Sequence, residues 1–131
     1  MSFKGIHSVY FLGIGGIGMS ALARWFAYEG YDVSGYDRTV SALTDTLISE
    51  GISIDFEDQV GKIPEKILQA PEKTLVIWTP AMPGASPQLN YFRDNGFTLK
   101  KRSVVLGEIT ESYYTIAVAG THGKTTTSSM I

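Results

Sequence analysis

Between an apolar run at Ser8–Leu12 (SVYFL) and a stretch with helical apolar spacing stands Gly13-Ile-Gly15-Gly-Ile-Gly18. A run rich in β-branched and aromatic residues that halts at glycines reads as a buried parallel strand. From about Gly16 to Glu29, Met19, Leu22, Trp25 and Phe26 recur with helical spacing and Gly30 supplies the stop. Asp32–Tyr36 (DVSGY) then returns as a second strand, with Asp37 at its carboxyl end. Strand, glycine turn, helix and strand within about 30 residues make a βαβ unit whose turn suits an anion. The tight turn needs glycine, a side chain at Gly15 would stand between the backbone and a diphosphate, and Gly18 lets helix and strand approach closely. Unpaired first-turn amides and the helix dipole favour negative charge there. Dinucleotides and nucleotide sugars both satisfy this pattern, and Asp37 can accept a hydrogen bond from a ribose hydroxyl in either case.

The rest of the chain continues the alternation. A helix from a Ser41 cap to Glu50, a weak strand at Ile52–Phe56 and a short helix anchored by Ile67 and Leu68 come first. Thr74–Thr79 (TLVIWT) reads as a central strand, and the proline- and glycine-rich loop Pro80–Ser86 at its carboxyl end is a candidate part of a site. Ser86-Pro87 opens a helix bearing Leu89 and Phe92, Phe97–Lys100 is a fifth strand, and Ser103 is expected to cap a helix bearing Val105 and Ile109. Thr115–Ala119 (TIAVA) reads as one more buried strand. The expected class is α/β, a Rossmann-like parallel sheet covered by helices on both faces. Residues 1–112 are read as one domain and 113–131 as the opening of another.

At 44% hydrophobic and 18% charged the chain can bury a core, and its net charge of -2 gives no electrostatic ground for nucleic acid or an anionic membrane as partner. It has no cysteine, no apolar run of membrane-spanning length and no signal-peptide pattern, so the expected location is cytoplasmic. His7 reads as a strand-edge residue, Trp25, Phe26, Tyr28, Tyr91 and Phe92 as core, and Glu57, Asp58, Glu65 and Glu72 as a solvated surface.

A second glycine loop, Gly120-Thr-His-Gly-Lys-Thr-Thr-Thr127, follows TIAVA. It is two residues shorter than the common Gly-x-x-x-x-Gly-Lys-Ser/Thr loop. Its backbone amides can cradle phosphate, Lys124 can reach terminal phosphates, and the Thr125 hydroxyl can ligate magnesium. A nicotinamide-dinucleotide-binding domain of a dehydrogenase would satisfy the first loop and Asp37 equally, but has no use for the second.

The two loops together, GIGGIGMS and AVAGTHGKTTT, resemble the Mur ligase family, as do VSGYD at Val33–Asp37, TPAMPGASPQL after the fourth strand and RSVVLGEI at Arg102–Ile109. The resemblance covers the whole chain, as the family's first domain and the opening of its second. It implies an ATP-dependent ligase of peptidoglycan synthesis with UDP-N-acetylmuramic acid, L-alanine and ATP as partners and magnesium as the metal. In that reaction ATP activates the muramyl carboxylate as an acyl phosphate, which the alanine amine attacks. Carried onto this chain, the amides of Gly15, Gly16, Ile17 and Gly18 hold the diphosphate, Asp37 and Arg38 lie near the uridine, and Thr79 and Ala81 line the far wall. ATP falls to Gly120, Thr121, His122, Gly123, Lys124, Thr125 and Thr126, with Lys124 and Thr125 as catalytic residues and Thr125 on magnesium.

The chain departs from the family pattern at Phe56-Glu57-Asp58, where many relatives have Gly-His. Arg102 matches the arginine of an RAE-like segment, but Val104 replaces its acid and Glu108 matches a later one. The expectation is an N-terminal piece that is inactive alone and holds neither ATP nor magnesium tightly. TIAVA is expected to join the edge of its own sheet or to pair with a second copy as a homodimer.

Overall fold

The computed structural model describes the backbone of residues 5–119 and the side chains of residues 5–110. Five parallel strands, β1 (Ser8–Leu12), β2 (Asp32–Tyr36), β3 (Ser53–Asp55), β4 (Thr74–Trp78) and β5 (Thr98–Lys101), form one sheet in the order β3-β2-β1-β4-β5. The connections carry α1 (Ile17–Tyr28), α2 (Ala42–Ser49), α3 (Glu65–Leu68) and α4 (Pro87–Asp94), and α5 (Arg102–Ala119) follows β5 without an intervening residue. This is the expected α/β architecture.

The strand alternation decides the two faces. Val9 and Phe11 of β1, with Leu75 and Ile77 of β4, point to one side and pack with Met19, Leu22 and Phe26 of α1, Leu47 of α2 and Val105 and Ile109 of α5. Tyr10, Leu12 and Val76 point to the other side, against Ile67 of α3 and Leu89 and Phe92 of α4. With both faces covered, β1 and β4 have no solvent side and read as continuous apolar runs. Phe26 is fully buried, with Phe11, Trp25 and Tyr31 rings around it at centroid distances of 6.1, 4.9 and 5.2 Å. Tyr28, expected in the core, is 88% exposed because it stands about 200° around α1 from the buried Phe26, on the face turned away from the sheet.

Local signals set the helix starts. Ser41 caps α2 by accepting the Thr44 N–H, and Thr44 Oγ1 accepts the Ser41 N–H in return, closing a capping box. Ser86 Oγ accepts the Leu89 N–H, with Pro87 at the first helical position. The expected Ser103 cap is replaced by a helix that begins at Arg102, since β5 runs straight into it. Asp58, expected to be solvated, is half-buried and accepts the Gln88 N–H at 3.0 Å, which ties the β3–β4 connection to the start of α4.

One expected strand is corrected. Thr115–Ala119 continues α5 instead of forming a strand, so the edge pairing expected of it, in its own sheet or in a second copy, loses its basis. An apolar run of this length fits either period, and among the described residues the sheet pairs none of its five strands with it. A helix satisfies its own backbone without such a neighbour.

Candidate functional site

The order β3-β2-β1-β4-β5 reverses direction between β1 and β4, and in open α/β sheets that point leaves a crevice beyond the carboxyl ends of the strands. A cavity of about 580 Å³ lies there. Gly13, Gly16, Gly18 and Met19 line it from the β1–α1 turn, Tyr36, Asp37 and Arg38 from the end of β2, Thr79, Ala81 and Met82 from the loop after β4, and Arg102 from α5. The structure thus brings together Gly16, Gly18, Asp37, Arg38, Thr79 and Ala81 as the sequence predicts, whereas Gly15 and Ile17 do not line the crevice. Gly120 to Thr126, the second loop with Lys124 and Thr125, lie outside the described residues.

The turn is held by the strand beside it. Tyr36 O accepts the N–H groups of both Gly13 and Ile14, at 2.7 and 2.9 Å, and Asp37 Oδ2 accepts that of Gly15 at 2.8 Å. Gly13 has φ +92°, a left-handed conformation that explains glycine there. Gly15 is glycine for a different reason than the expected approach of a diphosphate. A methyl group on it would stand 2.8 Å from Asp37 Oδ2 and 2.9 Å from Thr44 Cγ2. Its amide, expected to face a ligand, is spent on Asp37.

Helix α1 starts at Gly16 with no side chain capping it, and Ile17, Gly18 and Met19 occupy its first turn, where N–H groups have no intrahelical acceptor. The positive end of the helix dipole therefore opens into the crevice. Two guanidinium groups reinforce it: Arg38 from the rim, and Arg102, whose Nη1 would stand 3.0 Å from a methyl group on Gly18. Neither arginine has an ion-pair partner among the described residues. Among the described residues Asp37 is the one carboxylate on the wall, and two backbone amides already occupy it, Gly15 at Oδ2 and Thr39 at Oδ1, the latter at 2.9 Å. Burial, followed by the charges of Asp58 and Asp37, pushes the Tyr36 phenol up from its ordinary value against the opposing pull of Arg38, so it remains a neutral donor at physiological pH. The arrangement suits a phosphate-bearing anion.

Sequence reading did not place Arg102 or Tyr36 in the site; Met82 belongs to the Pro80–Ser86 loop that it did name. Tyr36 carried a signal, as the last residue of a strand entering the switch point. Arg102 carried none in its own neighbourhood, because α5 reaches the crevice only by packing Val105 and Ile109 on the same sheet face as α1. Among the described residues no cluster of His, Asp or Glu could hold a metal ion, and no helix is long and apolar enough to cross a membrane.

Comparison with known proteins bears on this geometry. A family model described as the Mur ligase family, catalytic domain, matches residues 8–114. Similar curated proteins include UDP-N-acetylmuramate--L-alanine ligases from Cytophaga hutchinsonii, 54% identical over 99% of this chain, and Flavobacterium psychrophilum, 55% identical over all of it. The chain spans only 28% and 29% of the length of those relatives. Among solved structures, UDP-N-acetylmuramate-alanine ligase MurC from Thermotoga maritima is similar at a TM-score of 0.66 and 28% identity, covering 82% of this chain and 23% of that one. The dehydrogenase alternative is not favoured by these matches.

Proposed function

The chain belongs to the Mur ligase family, and from that premise we propose that it seats the uridine diphosphate end of UDP-N-acetylmuramic acid in an ATP-dependent ligase that joins L-alanine to this substrate in peptidoglycan synthesis. The observation that carries the reading is the crevice at the switch point, where the start of α1 and two arginines without carboxylate partners among the described residues converge. The diphosphate lies against the start of α1, at Gly16 and Gly18, with Arg102 across from it. The nucleoside extends past Asp37 and Arg38, and Thr79 and Ala81 form the opposite wall. Two guanidiniums and a helix start neutralise the diphosphate charge and orient the sugar.

Residues 1–112 then form the nucleotide-sugar domain and residues 113–131 begin the domain that takes ATP. Lys124 and Thr125 on Gly120–Thr126 are a suitable donor set, a cation for terminal phosphates and a hydroxyl for magnesium. ATP with its magnesium supplies the activation of the muramyl carboxylate. L-Alanine would be placed with help from parts of the protein beyond this chain, consistent with its spanning under a third of its relatives. The reaction's substrates are cytosolic metabolites, which assigns the protein to the cytoplasm.

Trp78 ends β4 next to the crevice residue Thr79, with Lys101 Nζ 5.7 Å from its ring centroid, whereas Trp25 packs on Phe26 in the core. Titration with UDP-N-acetylmuramic acid is expected to change Trp78 emission in a saturable way, and NADH is not. A saturable response to NADH with none to the sugar nucleotide would overturn the proposal.

A further inference from the structure

Three consecutive amides of the β1–α1 turn, Gly13, Ile14 and Gly15, donate to the last residue of β2 and the residue after it. The first two end on the Tyr36 carbonyl, which is fixed by the sheet. The third ends on a side chain, that of Asp37, and that carboxylate is itself oriented by the Thr39 N–H at Oδ1, while the Asp37 N–H donates to Asp55 O at 3.1 Å. Thr44, from α2, fills the same space beside Gly15, its Cγ2 2.9 Å from where a methyl group would stand. Thr44 is fully buried and fixed by its capping box with Ser41. The space at the Gly15 Cα is therefore closed by Asp37 and Thr44 together, and Gly15 does not line the crevice, whereas Gly16 and Gly18 do.

We propose that Asp37 is a positioning residue: its carboxylate holds the Gly15 amide so that, beyond a Gly16 N–H donated to Gly13 O, the first turn of α1 presents its N–H groups to the diphosphate. The nucleoside is then recognised by groups other than this carboxylate. This division of labour rests on the crevice being a nucleoside-diphosphate seat. It assigns a side chain at the end of β2 a role that its sequence position suggests for ribose contact. It also accounts for Gly15 without invoking the ligand, since the space a methyl group would need is filled by Asp37 and Thr44. A charge-assisted bond from a carboxylate to a backbone amide is among the stronger single restraints a turn can have.

The experiment compares the chain with its Asp37→Ala, Asp37→Asn and Gly15→Ala variants, titrated with UDP and separately with uridine by nuclear magnetic resonance, with amide hydrogen exchange of the free proteins measured in parallel. In Asp37→Ala, UDP binding weakens on the order of tenfold while uridine binding is unchanged, and exchange at Gly15 rises. Asp37→Asn keeps one acceptor oxygen and falls between. Gly15→Ala keeps the carboxylate but displaces it, and reproduces the selective loss of UDP even if Asp37→Ala folds poorly. Equal losses for UDP and uridine would put Asp37 on the nucleoside and overturn the inference, as would unchanged UDP affinity with raised Gly15 exchange. If the unaltered chain ignores UDP altogether, the seat itself is refuted; Gly15 exchange then still reports whether Asp37 restrains the turn.

Discussion

Gln88 is a glutamine with no solvent exposure, and substitutions around it offer a quantitative test of how the second face of the sheet is held. Its Oε1 accepts the Tyr10 hydroxyl at 2.9 Å, and its Nε2 donates to Gln59 O at 2.9 Å and, more weakly, to Glu57 O at 3.4 Å. Tyr10 is 1% exposed, so neither partner can turn to water. Tyr10→Phe leaves one buried acceptor orphaned, at a cost of about 1–3 kcal/mol. Gln88→Leu leaves the Tyr10 hydroxyl without a partner, for about 1–3 kcal/mol, while the Gln59 and Glu57 carbonyls keep the N–H groups of Lys62 and Gln59. The double variant removes both members of the Tyr10–Gln88 bond and orphans neither, so its loss should fall short of the sum of the single losses by about 1–2 kcal/mol. Urea unfolding at constant m value, followed by circular dichroism, measures each loss. Additivity within about 0.5 kcal/mol would mean that the Tyr10–Gln88 bond contributes no coupling and that the reasoning fails.

Other expectations are simpler. Ser34 Oγ in β2 is buried without a hydrogen-bond partner among the described residues, so Ser34→Ala should leave stability within about 0.5 kcal/mol or raise it; a loss above about 1 kcal/mol in urea unfolding would show that the hydroxyl is satisfied. Burial first, and the charges of Asp55 and Asp58 after it, hold the Tyr10 phenol far above its ordinary value. The stability tied to its neutral form is present below the unfolded value of about 10 and is lost as pH rises beyond it, so the decline in stability between about pH 10 and 11 should be shallower in Tyr10→Phe. A methyl group on Gly35 would lie 2.7 Å from the Phe11 carbonyl, a backbone atom that cannot move aside, so Gly35→Ala should cost about 3 kcal/mol or more by thermal unfolding, whereas Gly61→Ala, with open space around it, should cost almost nothing.

The parts of this structure that could be read directly are those decided within a few residues. β1 and β2 have the expected limits, and the caps at Ser41 and Ser86 are where their side-chain chemistry puts them. β3 is shorter than expected, three residues at the sheet edge, where one neighbour instead of two supplies ladder bonds. What escaped was decided at a distance. Gln88 and Asp58 look like surface residues in their own segments, and only the fold puts them against each other. The partner of the Gly15 amide depends on how β2 ends beside β1, so a residue with the spacing of a ribose ligand turned out to bond the backbone of the turn. Thr115–Ala119 shows the same limit in secondary structure, since an apolar run does not say whether a neighbouring strand exists.

The passage from β5 to α5 without a linker makes the join at Lys101 and Arg102 intolerant of any change in length. One inserted residue would rotate the helix by about 100° against the sheet, carrying Val105 and Ile109 out of contact with α1 and swinging the Arg102 guanidinium off Gly18. The loop between Thr79 and Ser86 can absorb such an insertion by changing its path. Length variation among variants of this fold should therefore gather at the mouth of the crevice and be absent from that seam.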